Sequence, residues 1–426
     1  MSINKEDFGV NLSGFFHAEI GFGEAIRGNL NALQKVGIKV QAVNFNLNLK
    51  HRLNDDSIST VENNTYPVNI IHVNMDTIGQ FLKEKSLDFY KGKYNIGYWA
   101  WEMEDFPEKY RENFAFYDEI WTCSKYCLDS ISLKSPIPIV NIPHSINIQE
   151  EDINKEYDAE LPKDTFKFLF IFDYNSSIVR KNVLAVIEAF EKAFGKENTK
   201  VCLILKTSIP SYYIDDKNEI MNRIKDFRNV IYKEEMLRRE NLLSLISQSD
   251  CYVSLHRSEG FGLTIAEAMA LGKPVIATGY SGNMEFMNVN NSFLVKYKIV
   301  KLERDLGPLV KENSWSEPDV EHAAELMNFV FENQEYANEI GIRAKKDIQQ
   351  NFSLTAIGNK MKRRLEIIEK ELIPAKDQTE VEQKIVEFQM ENVVLKRQVY
   401  YLEKSLYNKI RKSVNKFFSK LRDEKP

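Results

Sequence analysis

The stretch CYVSLHRSEGFGLTIAEAMALGKPVIATGYSGN, residues 251–283, decides the fold. CYVSLH reads as a strand, RSEGFG as a glycine-bracketed loop, and LTIAEAMALG as a helix that Gly272 closes and Pro274 follows. KPVIATGY returns to strand, so the stretch is a β-α-β unit of a helix-covered parallel sheet. Two carboxylates sit eight positions apart in it, Glu259 ahead of the helix and Glu267 inside its first turns. Free amides at the helix start, with the positive end of the dipole, suit phosphate oxygens, and Gly260 and Gly262 let the backbone approach a ligand. A carboxylate serves phosphate poorly, but it accepts from paired hydroxyls. The same spacing taken alone also describes a helix cap and a solvated helix residue.

Working outward, the alternation repeats. FKFLFIFDY (166–174), VCLILKT and NVIYKE precede the opening stretch as strand candidates, with RKNVLAVIEAFEKAF and LRRENLLSLISQS as helices between. An earlier series runs through IKVQAVNF, VNIIHVN, YNIGYWAW, DEIWTCS and PIVNIPH, separated by helical stretches such as FGEAIRGNLNALQKVG. Each series implies a doubly wound parallel sheet. The segment NIQEEDINKEYDAELPKD, 147–164, is charged and poor in apolar residues, and it is the candidate linker. Two such domains leave a cleft between the carboxyl ends of their strands, where ligands bind in folds of this type.

A chain of 426 residues suits two domains of ordinary size with room for an appendage. Its net charge of −5 gives no overall reason to expect nucleic-acid binding, and any anionic ligand must be met locally. Cys123, Cys127, Cys202 and Cys251 lack zinc-site spacing and read as reduced, buried thiols. With neither a secretory leader nor a long apolar run, the expectation is a cytoplasmic protein without a membrane span. Beyond Pro374, Val381, Ile385, Phe388, Asn392, Leu395, Val399, Leu402 and Leu406 follow heptad spacing, which predicts a coiled coil over 381–406 joining a homo-oligomer or a partner protein. The basic segment 404–422 carries Ile410, Val414, Phe417, Phe418 and Leu421 at helical spacing, suited to an anionic membrane surface, to an extended coiled coil or to docking on a protein.

The motif SEGFGLTIAEAMALGKPVIATGYSGN resembles the signature of family-4 retaining glycosyltransferases of the GT-B fold, and the resemblance extends over roughly residues 9–370. It implies two Rossmann-like domains facing a cleft: an acceptor domain over 1–150 and a nucleotide-sugar domain over 151–352. A helix over 353–375 then returns to the first domain, and 376–426 form the tail. It further implies that Glu259 contacts the donor sugar, that Glu267 holds the ribose, and that the backbone of Gly260, Phe261, Gly262, Leu263 and Thr264 faces sugar and diphosphate. Arg180, Lys181 and Lys206 suit the diphosphate charge, although DYNSS and LILKT depart from the family's pattern nearby. Gly21 and Gly23 in HAEIGFGEAIRGN match the family's first loop.

Glu102, just past the strand of YNIGYWAW, stands where many relatives have a histidine near the reacting centre. Trp99 and Trp101 beside it either stack on an acceptor sugar or pack in the core. His17, His72, His144 and His256 are further cleft candidates. No two aspartates are separated by a single intervening residue, so the chain has no D-x-D to hold a divalent ion; metal-independent chemistry is expected, with no cofactor beyond the donor substrate. GYSGNMEFM and NSFLVKYKIV resemble mannosyl- and rhamnosyl-type enzymes of bacterial surface-polysaccharide assembly, which points to GDP-mannose and a glycan, lipid-linked or protein-linked acceptor. A non-catalytic assembly subunit and a nucleotide-sugar epimerase of the same fold are the alternatives.

Overall fold

The computed structural model describes residues 8–46, 58–208, 213–307, 309–311, 313–375 and 380–423. Strands β1 (Val10–Gly14), β2 (Val40–Asn44), β3 (Val68–His72), β4 (Tyr94–Trp99), β5 (Glu119–Thr122) and β6 (Ile139–Asn141) form one parallel sheet in the order β2-β1-β3-β4-β5-β6. Strands β7 (Phe166–Phe172), β8 (Val201–Thr207), β9 (Val230–Glu234), β10 (Cys251–Ser254), β11 (Val275–Thr278) and β12 (Phe293–Val295) form a second, ordered β12-β11-β10-β7-β8-β9. Helices cover both faces, which is why β3 and β8 are buried along their whole length. Strand order reverses between β7 and β10, so the loops leaving these neighbours diverge and open a crevice. Those two loops carry Arg180 with Lys181 and Glu259.

The chain crosses between the sheets twice. It leaves β6, enters β7 through the charged segment, and returns after residue 352; the Ile146 amide donates to the Phe352 carbonyl (2.7 Å), so the two crossings meet. The returning helix Leu354–Ile367 lies on helix Gly21–Lys35 of the first domain. A Cβ on Gly358 would stand 2.4 Å from the Ala32 carbonyl oxygen, which explains the glycine there. Lys362 donates to the Val36 carbonyl (3.2 Å), and Arg364 pairs with the fully buried Glu119 of β5.

Two features were not read from sequence. β13 (Tyr297–Lys301) and β14 (Ser314–Pro318) form an antiparallel ribbon. Arg257 makes a bidentate pair with Glu317 of β14 (2.7 and 2.9 Å), which anchors the loop just ahead of Glu259. The tail helix Glu380–Asp423 also docks by one face on the first domain. Met390 and Val393 are buried, Lys396 meets Glu112 (2.8 Å), and Arg397 bonds Asn113 and lies over the Phe116 ring. The heptad residues Phe388, Leu395, Val399, Leu402 and Leu406 lie on another face, and all are exposed, Phe388 by 69% and Leu402 by 70%. The side chains of Val381, Ile385, Ile410, Val414, Phe417, Phe418 and Leu421 lie outside the described residues. No described helix is long and apolar enough to cross a membrane.

Candidate active site

Between the two sheets lies a cavity of about 460 Å³. From the second domain it is lined by Glu259, Gly260, Phe261, Gly262, Leu263, Thr264 and Glu267 of the motif, with Arg180, Lys181 and Lys206. Gly21 and Glu102 line it from the first domain, as does His144 just after β6. Gly23 does not. Its glycine serves packing, because a Cβ there would lie 2.2 Å from the Ala18 carbonyl oxygen.

Local structure explains the motif. Gly262 caps helix Leu263–Ala270 at φ +92°, a conformation costly for any side-chain-bearing residue. The first intrahelical bond runs from the Ala266 amide to the Gly262 carbonyl (3.0 Å), so the amides of Leu263 and Thr264 precede the ladder. The Gly260 carbonyl accepts from Ser124 (2.6 Å) and from the thiols of Cys127 (3.3 Å) and Cys123 (3.4 Å), tying the loop to the first domain. Phe261 turns its ring inward against Phe286 and His144, both at 4.9 Å. Only its backbone is left for a ligand.

Glu259, 7% exposed, is held between Lys181 (2.5 Å) and Arg180 (3.3 Å). Burial would raise its pKa, but the two cations outweigh burial and hold the carboxyl at about 2. Arg180 also donates to the Ser258 carbonyl (2.7 Å) and reaches Glu102 at 3.9 Å, spanning the cleft. Glu267, 2% exposed, accepts from Arg239 through Oε1 (2.6 Å), while its buried Oε2 accepts from no donor among the described residues. Burial raises its pKa against the pull of Arg239. Arg239 in turn pairs with Glu24 of the first domain (3.4 Å), a second bridge across the cleft.

Lys206 is buried and donates to the carbonyls of Thr207 (3.1 Å) and Glu235 (2.8 Å). Burial lowers its pKa to about 8. Its neighbours on the cavity wall include Glu235, Met236 and Leu237, on the loop after β9.

Trp99 and Trp101 belong to the core rather than to an acceptor wall. Trp99 stacks with Phe106 (6.0 Å), and the Trp101 indole donates to the Asp105 carbonyl (2.8 Å). His72 and His256 are fully buried with no hydrogen-bond partner at either ring nitrogen among the described residues, and burial lowers the His256 pKa to about 4. His144 bonds the Tyr98 hydroxyl (3.1 Å), and burial lowers its pKa to about 3. His17 is partly buried and off the cavity wall. The four cysteines are free and buried. Among the described residues, no three His, Cys, Asp or Glu side chains cluster to hold a metal ion.

Residues 154–347 match the family model described as Glycosyl transferases group 1. The trehalose synthase of Pyrococcus horikoshii is 32% identical over 120 residues, covering 28% of this chain and 23% of that protein. The match thus spans less than a quarter of that relative's length. Among solved structures, sucrose-phosphate synthase from Thermosynechococcus elongatus superposes with a TM-score of 0.62 at 15% identity, over 85% of this chain and 99% of that one. Anabaena HepE, solved in complex with UDP and glucose, gives 0.58 at 13% identity, over 84% and 99%. Two parallel six-stranded sheets with these neighbours make the fold GT-B, and its second domain is similar to the group 1 glycosyl transferases.

Proposed function

We propose that the cleft binds a nucleotide-diphosphate sugar and transfers the sugar, with retention and without a metal ion, to a hydroxyl of a glycan, lipid-linked or protein-linked acceptor. The observation that carries this reading is Glu267. Its carboxylate is buried on the cavity wall with one oxygen fixed by Arg239 and the other unpartnered, an arrangement that fits the hydroxyls of a ribose. Arg180 and Lys181 are the cations for the diphosphate, and both pair with Glu259.

Entry of the diphosphate offers those cations a second anion. Glu259 is then released to accept from the donor sugar's hydroxyls, and the cations stabilise the charge that develops as the glycosidic bond breaks. Glu102, on the opposite wall, is positioned from the first domain through Arg180. HepE, which shares the fold and was solved in complex with UDP and glucose, supports a nucleoside-diphosphate donor. Incubating the chain with a panel including GDP-mannose and UDP-glucose, with chelator present, tests the reading: sugar appears on a hydroxyl acceptor. A panel that gives neither binding nor transfer removes it in favour of a non-catalytic scaffold, and an epimerised free donor removes it in favour of an epimerase.

The tail reading rests on a separate observation. One face of the tail helix is already covered by the first domain, while Phe388, Leu395, Val399, Leu402 and Leu406 repeat at heptad spacing in the open. We infer that a second copy of the chain covers this seam, with Asn392 setting its register. The basic segment 404–422 then gathers at one end of the oligomer, where an anionic lipid surface is the fitting partner.

A further inference from the structure

One charged group on the cavity wall has no partner that the donor-site reading accounts for. Glu235 directly follows β9, and its amide donates to the Thr207 carbonyl (3.2 Å), which pins its backbone beside the end of β8. Its Oε1 is shielded from solvent and accepts no hydrogen bond among the described residues. The residue nonetheless lines the same cavity as Glu259 and Glu267. A carboxyl oxygen kept from water without a donor is costly, and a native fold keeps one where something else supplies the donor.

The surroundings limit what that donor is. Glu235 lies on the loop after β9 that also carries Met236 and Leu237 and leads to Arg239, which holds Glu267. Met236, Leu237 and Leu242 add apolar surface to the same wall, suited to the face of a planar ring. Lys206 stands beside them with two of its three donors spent on the carbonyls of Thr207 and Glu235, which leaves one. This end of the cavity therefore offers a flat apolar surface, a carboxylate and a single ammonium donor.

Nucleobases differ in what their edges present. Uracil shows one N–H between two carbonyl oxygens, and a carboxylate facing it meets an acceptor on either side. Adenine and cytosine each set one amino group beside a bare ring nitrogen. Guanine alone presents two adjacent donors, N1–H and the 2-amino group, next to the O6 acceptor. Two carboxylate oxygens match the two donors, and the remaining Lys206 proton matches O6.

We propose that Glu235 reads the nucleobase of the donor and selects guanine over uracil. This rests on the donor-site reading above. Discrimination follows because a wrong base leaves the shielded Oε1 without a donor, which costs more than a lost contact.

Calorimetric titration of the full-length chain with GDP, IDP and UDP at one pH and salt concentration tests it. GDP is expected to bind about tenfold or more tightly than UDP, with IDP, which lacks the 2-amino group, between them. In Glu235→Gln the GDP-to-UDP ratio collapses to within a few-fold, and retained UDP binding shows that the variant is folded. The IDP comparison needs no variant. UDP binding as tightly as GDP, IDP binding as tightly as GDP, or a ratio that survives Glu235→Gln each overturns the assignment while leaving the donor site standing. Failure of all three nucleotides to bind removes the donor site itself, and this inference with it.

Discussion

Glu259 is committed to two cations, whereas Glu267 keeps one oxygen without a donor among the described residues, and this difference sets what each substitution does. Glu267→Ala is expected to weaken sugar-nucleotide binding by about 1.5–3 kcal/mol, the worth of a charge-assisted hydrogen bond, as read by calorimetry. Glu259→Ala is expected to act mainly on the rate of transfer, with donor affinity changed less, because removing it also frees Arg180 and Lys181 for the diphosphate. Equal transfer rates in both variants and the parent would place the site elsewhere. Acidity separates the two carboxylates. Burial raises the Glu267 pKa, so its acceptor form is lost as pH falls through the raised value. Glu259, held at about 2, stays ionised throughout that window. Donor affinity should therefore fall on the acid side with the loss of one ionised group, and Glu267→Gln should abolish that limb. An acid limb that persists in Glu267→Gln belongs to another residue.

At the scale of elements, the loops leaving β7 and β10 place the site, and the turn at Gly262 aims the motif helix. Gly262→Ala puts a Cβ at φ +92° and 3.1 Å from Ile265 Cδ1, and is expected to cost about 1–2 kcal/mol in a denaturant titration. The tail helix presents two faces with separable roles. Leu395→Asp with Leu402→Asp is expected to yield a monomer by sedimentation with the thermal transition of the domains little changed. Val393→Asp, at 7% exposure against the first domain, is expected to undock the helix and raise its protease sensitivity. An unchanged oligomeric mass in the first variant would remove the seam as an interface. Much of this scale was legible in sequence, because a strand, a glycine turn and a helix start are local patterns; the motif of 251–283 and the cations after β7 needed nothing distant. The docked face of the tail was not legible. Its apolar residues are interleaved with a regular heptad, and only the first domain's surface reveals that Met390 and Val393 have a use of their own.

At the scale of the molecule, the cavity exists because the chain crosses between two sheets and returns, and the crossings meet at Ile146 and Phe352. What sequence reading missed lies here. Arg239 pairs Glu24 with Glu267, and Arg180 links Glu102 to Glu259, so in each case one partner comes from each domain. No spacing along the chain encodes such a bridge. Trp99 and Trp101 show the same limit from the other side, since an aromatic pair beside a cleft strand is legible while the direction in which the rings point is not. Metal independence is a prediction at this scale as well: transfer is expected to survive chelation, and activity lost to chelator and restored by magnesium or manganese would contradict it. The central claim is that one cavity between the sheets holds a nucleotide sugar by Glu267. The most direct measurement is calorimetric titration of a nucleotide-sugar panel into the intact chain and into Glu267→Ala, with a thermal melt of each to establish folding. The account predicts that at least one donor saturates the parent at one site per chain and binds the folded variant about tenfold or more weakly; equal affinity for parent and variant would contradict it.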